Sequence, residues 1–176
     1  NLQRESITGT SNEMEKPMNL FGMADATQVS DNPWEIAPNT YYCTCVDATI
    51  KEKEDGNYSL RIQWQINEPD SEYHENKVSQ YHTVIIDKLY NEMSAKEKKS
   101  MKYYKLNLRN AFDLSEEDMM TFTAQDLLGR KAYVTTEINS VDGTAYTNVA
   151  KVLCERRYLE ENAATEVATS AGGFGI

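Results

Sequence analysis

The side chains best suited to nucleophilic, acid–base or metal chemistry are few: two histidines, His74 and His82, and three cysteines, Cys43, Cys45 and Cys154. Structural zinc usually recruits cysteines in Cys-x-x-Cys knuckles, where two thiolates reach one ion from a tight turn. Cys43 and Cys45 are one residue apart in a run of strand formers, a spacing that suits buried free thiols instead. No Gly-rich phosphate loop, dinucleotide fingerprint or His-Glu-x-x-His helix occurs, and no spacing among the many carboxylates singles out a general base. These observations point away from an enzyme, and no cofactor or metal is expected.

Any other chemistry has to be carried on strands. Residues 41–50, after the turn signal Pro38-Asn39, are rich in β-branched, aromatic and cysteine side chains and read as a first strand. Beyond Gly56-Asn57, the residues Tyr58, Leu60, Ile62, Trp64 and Ile66 alternate with Ser59, Arg61, Gln63, Gln65 and Asn67. Period-2 alternation places one set in a core and the other on an open face. A third strand is expected over 77–86. Ser94 and Glu97 have capping-box spacing, which predicts a helix over 95–112 with Met101, Tyr104, Leu108 and Ala111 or Phe112 turned inward. Short helical turns are expected over 115–120 and 124–128. Gly129 then precedes strands at 131–138 and 145–154, joined through Asp142-Gly143.

The resulting order predicts a mainly-β fold with a helical insertion: a five-stranded OB-fold-like barrel with the helix between strands 3 and 4. Residues 1–32 read as a flexible arm and 33–158 as the binding domain. Residues 159–176 read as a disordered tail that ends in Gly172-Gly173-Phe174-Gly175-Ile176.

A chain of 176 residues with 40% hydrophobic content suits one such domain, and no run approaches the roughly 20 apolar residues of a membrane span. With its odd number of cysteines, the chain is expected to be soluble and cytoplasmic, with reduced thiols. The net charge of −10 disfavours polyanion binding on average. The distribution is uneven, however: Lys88, Lys96, Lys98, Lys99, Lys102, Lys105 and Arg109 fall in one short segment, which serves either as a solvated helix face or as a phosphate contact.

The runs Pro38-Asn39-Thr40-Tyr41-Tyr42 and Glu54-Asp55-Gly56-Asn57-Tyr58-Ser59-Leu60 resemble the opening hairpin of phage-encoded OB-fold single-stranded DNA-binding or recombination-accessory proteins. So do the run from Asp126 to Val134 and Gly143 followed by Tyr146-Thr147-Asn148-Val149. The resemblance spans about residues 34–153 and departs in the acidic arm and in the tail, where the acids are sparse and the tip is Phe174-Gly175-Ile176. It implies single-stranded DNA as partner, bound with little sequence preference in replication or recombination, and a tail that recruits replication or recombination proteins. A homo-oligomer is compatible with it.

Such a site combines a basic groove along the backbone with aromatic faces for the bases. Alternation aims Arg61, Gln63 and Gln65 away from the apolar set, whereas Trp64 shares the parity of the core. Lys131 and Tyr133 form a phosphate and stacking pair, and Tyr81, Tyr146 and Lys151 complete the candidates. The competing expectation, favoured by the net charge, is an acidic protein-interaction module that binds no DNA, such as a phage inhibitor of a host or defence enzyme.

Overall fold

The computed structural model describes residues 17–174; residues 1–16 of the expected arm and 175–176 of the expected tail lie outside the described residues. The chain divides into two compact units, Asn1–Pro33 and Trp34–Ile176. Over 17–33 the first unit consists of turns. The Asn19 side chain accepts from the Phe21 N–H, and the Asp25 carboxylate accepts from the N–H and hydroxyl of Thr27. Short amide and carboxylate side chains close such turns on the backbone two residues onward. Met18, Leu20, Phe21 and Met23 are exposed there.

The second unit contains, in chain order, β1 (Thr40–Glu52), β2 (Tyr58–Ile66), β3 (Lys77–Val84), α1 (Ala95–Phe112), α2 (Glu116–Met119), α3 (Ala124–Leu127), β4 (Lys131–Val141), β5 (Thr144–Cys154) and α4 (Glu155–Phe174). The strands form one antiparallel sheet in the order β3-β2-β1-β4-β5. The fold is thus mainly β, with helices between the third and fourth strands. The sheet is open: edge strands β3 and β5 approach within 8 Å between Cα atoms, but no ladder joins them. The expected five-stranded barrel is therefore seen as a sheet whose two edges face each other without hydrogen-bonded closure.

Strand β1 pairs on both sides, and its register slips between Cys45 and Asp47, leaving Val46 as an extra residue. Tyr41, Cys43 and Cys45 point into the core before the bulge, and Ala48 does so after it. The bulge sits beside Gly129, whose N–H donates to the Cys45 carbonyl while the Cys45 N–H donates to Arg130. Gly129 has φ +80°, a conformation that side chains with a Cβ resist. At the far end of β4, Asp142 and Gly143 both have positive φ, the geometry of a two-residue turn whose twist matches the strands it joins.

Helix α1 starts as its spacing predicts: the Glu97 N–H donates to the Ser94 hydroxyl, and the Ser94 N–H donates back to the Glu97 carboxylate. Its Tyr104, Leu108, Ala111 and Phe112 are buried, and the Phe112 ring stacks on Trp64 at 5.4 Å between centroids. Trp64 is fully buried, and its indole N–H donates to the Gln80 Oε1 at 3.0 Å. Buried Gln80 in turn donates to Asn107 on α1, so the polar atoms beneath the helix are partnered.

Residues 159–174, expected to be a disordered tail, belong instead to α4, which begins directly after β5 and also contains the expected domain end at 158. Glu and Ala lose little conformational freedom in a helix, which favours this conformation without an apolar stripe. An apolar stripe is what marks a helix in a sequence, and this helix lacks one.

Replacing Trp64 by Ala should destabilise the domain by about 3–5 kcal/mol, read as a lowered urea midpoint with an unchanged slope. His82 gives a second test. Burial against the Tyr104 ring pulls it down from 6.5 to about 4, so between those values the unfolded chain binds the extra proton. Stability should fall as pH drops through this window by up to about 3 kcal/mol, with no further loss from this group below it. Urea titrations of wild type and His82→Gln at neutral pH and near pH 4.5 should differ in pH slope by that amount; equal slopes would contradict the assignment.

Candidate nucleic-acid interface

The alternation in β2 continues across the whole sheet, because paired strands keep opposite residues on the same face. Arg61 lies between Thr49 of β1 and Tyr81 of β3, Gln63 between Asp47 and Ser79, and Gln65 between Thr44 and Lys77. On the other side of β1, Lys131 pairs with Thr44, Tyr133 with Tyr42, and Thr135 with Thr40. Lys151 follows next to Thr135 on β5. Arg61, Gln63, Gln65, Tyr81, Lys131, Tyr133 and Lys151 thus share the face turned away from the core. Neighbouring strands lie about 4.8 Å apart, so this face is roughly 20 Å wide from β3 to β5.

Tyr146 is the candidate that the structure sets apart. It pairs with Asn139 close to the Asp142-Gly143 turn, beyond a second bulge at Thr135/Thr136. About six residues of strand, or roughly 20 Å, separate that position from Tyr133. It is exposed, but at the hairpin end and not among the other candidates.

The face has two halves. On β1-β2-β3, Thr49, Lys51, Ser59, Arg61 and Tyr81 line an open hollow of about 170 Å³. Tyr81 is 66% exposed, an unusual burden for a ring with nothing stacked on it. Arg61 is not a free cation: its Nη2 donates to the Asp47 carboxylate at 2.7 Å, which holds that carboxyl below its ordinary range. Its Nε is buried without a partner. Gln65 donates to the Glu75 carbonyl, and Lys53 to the Thr83 hydroxyl.

On β1-β4-β5, Tyr42 and Tyr133 have ring centroids 5.1 Å apart. A third ring, Tyr158 of α4, lies flat on Tyr133 with centroids 3.8 Å apart and planes 13° apart. Glu161 of the same helix pairs with Lys151. Arg156 ties the helix to α1, with Nε and Nη2 on the two oxygens of Asp113 at 3.0 and 2.6 Å, and Arg157 donates to the Arg109 carbonyl. The lysines of this segment are partly engaged: Lys88, ahead of α1, pairs with Glu97, while on α1 Lys105 pairs with Glu116 and Lys98 lies over the Tyr90 ring.

Sequence reasoning missed Tyr42, Lys51 and Tyr158. The first two lie on either side of the Val46 bulge, where counting by twos gives the wrong face for one of them. Tyr158 was placed at the end of the domain, with no helix to carry it over the sheet.

The thiols face the other way. Cys43, Cys45 and Cys154 are free and buried, and burial pushes Cys43 up to about 12 and Cys45 up to about 11. Among the described residues, no three His, Cys, Asp or Glu side chains are grouped to hold a metal ion. Nor is any described helix long and apolar enough to cross a membrane. In native protein at pH 8, Cys43 and Cys45 should resist an aromatic disulfide reagent that titrates the unfolded chain at once. Rapid labelling of either in the folded state would show that the core opens there. No family model and no curated protein matches the chain.

Proposed function

We propose that the outer face of the sheet is a platform for single-stranded DNA and that the protein is a binding protein, not an enzyme, acting in phage replication or recombination. The observation that carries this reading is the gathering of cations and tyrosines on one continuous face: Lys51, Arg61 and Tyr81 on one half, Lys131, Tyr42, Tyr133 and Lys151 on the other. Bases of any identity present a ring to stack, and lysine and arginine follow the phosphates, so such a face holds a strand without reading its sequence. The strand order, the helical insertion and the approach of β3 to β5 support a partly open barrel of the OB type, whose strand face and loops bind oligomers.

The net charge of −10, with Arg61 and Lys151 each already held by a carboxylate, supports the second reading, an acidic module that engages a protein partner. The two readings predict opposite results in one titration. On the platform reading, labelled oligo-dT binds at low salt, and affinity falls with salt at a log–log slope of about −0.7 per phosphate contacted. Duplex of equal length binds far more weakly. Tyr81→Ala should weaken binding roughly 5- to 100-fold, the worth of one stacked base, with no change in thermal midpoint. Arg61→Ala should also weaken it and flatten the salt slope. Equal affinity for duplex and single strand would overturn the single-strand reading, and no affinity for either at low salt would transfer the case to the acidic module.

A further inference from the structure

Helix α4 is attached to the sheet in an unusual way. Between 155 and 166 no residue is buried, and only Arg157 and Tyr158 are even half-buried. Leu159, the one large aliphatic side chain in this stretch, is 57% exposed. This stretch therefore adds almost nothing to the core, and over it the hydrophobic burial that fixes most helices on their domains is missing. Among the described side chains, what holds it is the Tyr158–Tyr133 stack, the Arg157 hydrogen bond to the Arg109 carbonyl and a few ion pairs: Lys151–Glu161, Arg156–Asp113 and the longer Arg157–Asp113 contact. The side chains of Lys151, Glu161, Arg156 and Asp113 are all 42–52% exposed, a setting in which ion pairs hold weakly and are screened by salt.

The space under the helix is also poorly filled. A hollow of about 240 Å³ remains between α4 and the sheet, lined by Thr40, Thr135, Lys151, Tyr133 and Asn162. The hollow is polar and open to solvent, which leaves room for water or a ligand between the helix and the face. The two contacts it makes with the face have the chemistry of a nucleotide. An aromatic ring lies flat on Tyr133, as a base would, and an anion sits on Lys151, as a phosphate would.

We propose that α4 is an intramolecular occupant of the β4–β5 half of the platform, with Tyr158 in the place of a base and Glu161 in the place of a phosphate, so that a bound strand and the docked helix exclude each other. The inference rests on the platform reading above. Among the described residues of the second unit none covers the other half, around Arg61 and Tyr81, in this way, and that half serves as the point of entry. A strand that engages there first then displaces α4 as it extends toward Tyr133. Affinity for short oligomers is governed by the open half alone, and longer strands gain the second half only by undocking the helix.

The test measures oligo-dT affinity at low salt for full-length wild type, Tyr158→Ser/Glu161→Gln and Arg156→Ala. The double variant should bind about tenfold more tightly to oligomers long enough to cross the sheet, because the fraction of platform that is open sets the apparent affinity. Arg156→Ala separates displacement from simple charge effects. It removes a positive charge, which on its own weakens binding to a polyanion, yet it releases the helix from Asp113 and should tighten binding severalfold. Amide exchange over 155–166 should rise when wild type is saturated with the long oligomer and stay unchanged with one too short to leave the open half.

Wild-type affinity exceeded by neither variant would overturn the inference while leaving the platform intact. Weaker binding by the double variant would do the same and make Tyr158 part of the binding surface. A wild type and variants that all fail to bind oligomer at low salt would overturn the platform itself, whereas helix release seen by exchange in Arg156→Ala would still report on docking.

Discussion

The single extra residue at Val46 is the constraint on which the two-sided character of the sheet depends. β1 is the central strand and pairs with β2 on one side and β4 on the other. A strand of this length twists, and a regular alternation over all of Thr40–Glu52 would bring either Asp47 and Thr49 or Tyr41 and Cys43 onto the wrong face. The bulge resets the alternation between Cys45 and Asp47, so that Cys45 stays opposite Trp64 and Ala48 stays opposite Ile62. Bulges also increase local twist and bend the strand, which carries the two ends of the sheet toward each other. Such a bend favours the approach of β3 to β5.

Core and outer face then take on distinct chemistry. Inward, Trp64 stacks on Phe112 and hands its N–H to Gln80, so α1 is fixed in position by a ring contact and a satisfied polar chain. The thiols of Cys43 and Cys45 are held neutral by the same burial. Outward, the residues are tyrosine, lysine, arginine, glutamine and threonine, which tolerate water and offer both flat apolar area and hydrogen-bonding groups. Several of these cations are met by the chain's own carboxylates, Arg61 by Asp47 and Lys151 by Glu161. This internal neutralisation is how a strongly acidic chain carries cations on this face, and the pairs are only partly exposed, with side chains 40–48% accessible.

The position of α4 follows from the same logic of weak attachment. A helix that leaves β5 without a linker has to turn back along the domain, and Arg156 and Arg157 direct it to the C-terminal end of α1. There Asp113 caps the helix in a left-handed conformation and free carbonyls accept cationic donors. With no apolar stripe of its own, it meets the sheet, among the described side chains, mainly through the Tyr158 ring on Tyr133 and Glu161 on Lys151.

Residue type and spacing alone determined the strands, the 95–112 helix with its Ser94–Glu97 cap, the Asp142-Gly143 turn and the outward set on β2, because these depend on interactions within a few residues of one another. Alternation also assigned Trp64 to the core and Arg61, Gln63 and Gln65 to the open face, since parity within one uninterrupted strand is a local property. Tertiary structure decided the rest. A bulge is set by what lies on both sides of a strand, so the outward direction of Tyr42 and Lys51 together was not legible in β1. The distance of Tyr146 from Tyr133 depends on the length of a hairpin and on a second bulge in it. The pairing of Arg61 with Asp47 joins residues brought opposite by register. The tail read as disordered became a helix because its Glu- and Ala-rich composition permits one and because Tyr133, Lys151 and Asp113, all distant in sequence, supply the contacts that give it a place to rest.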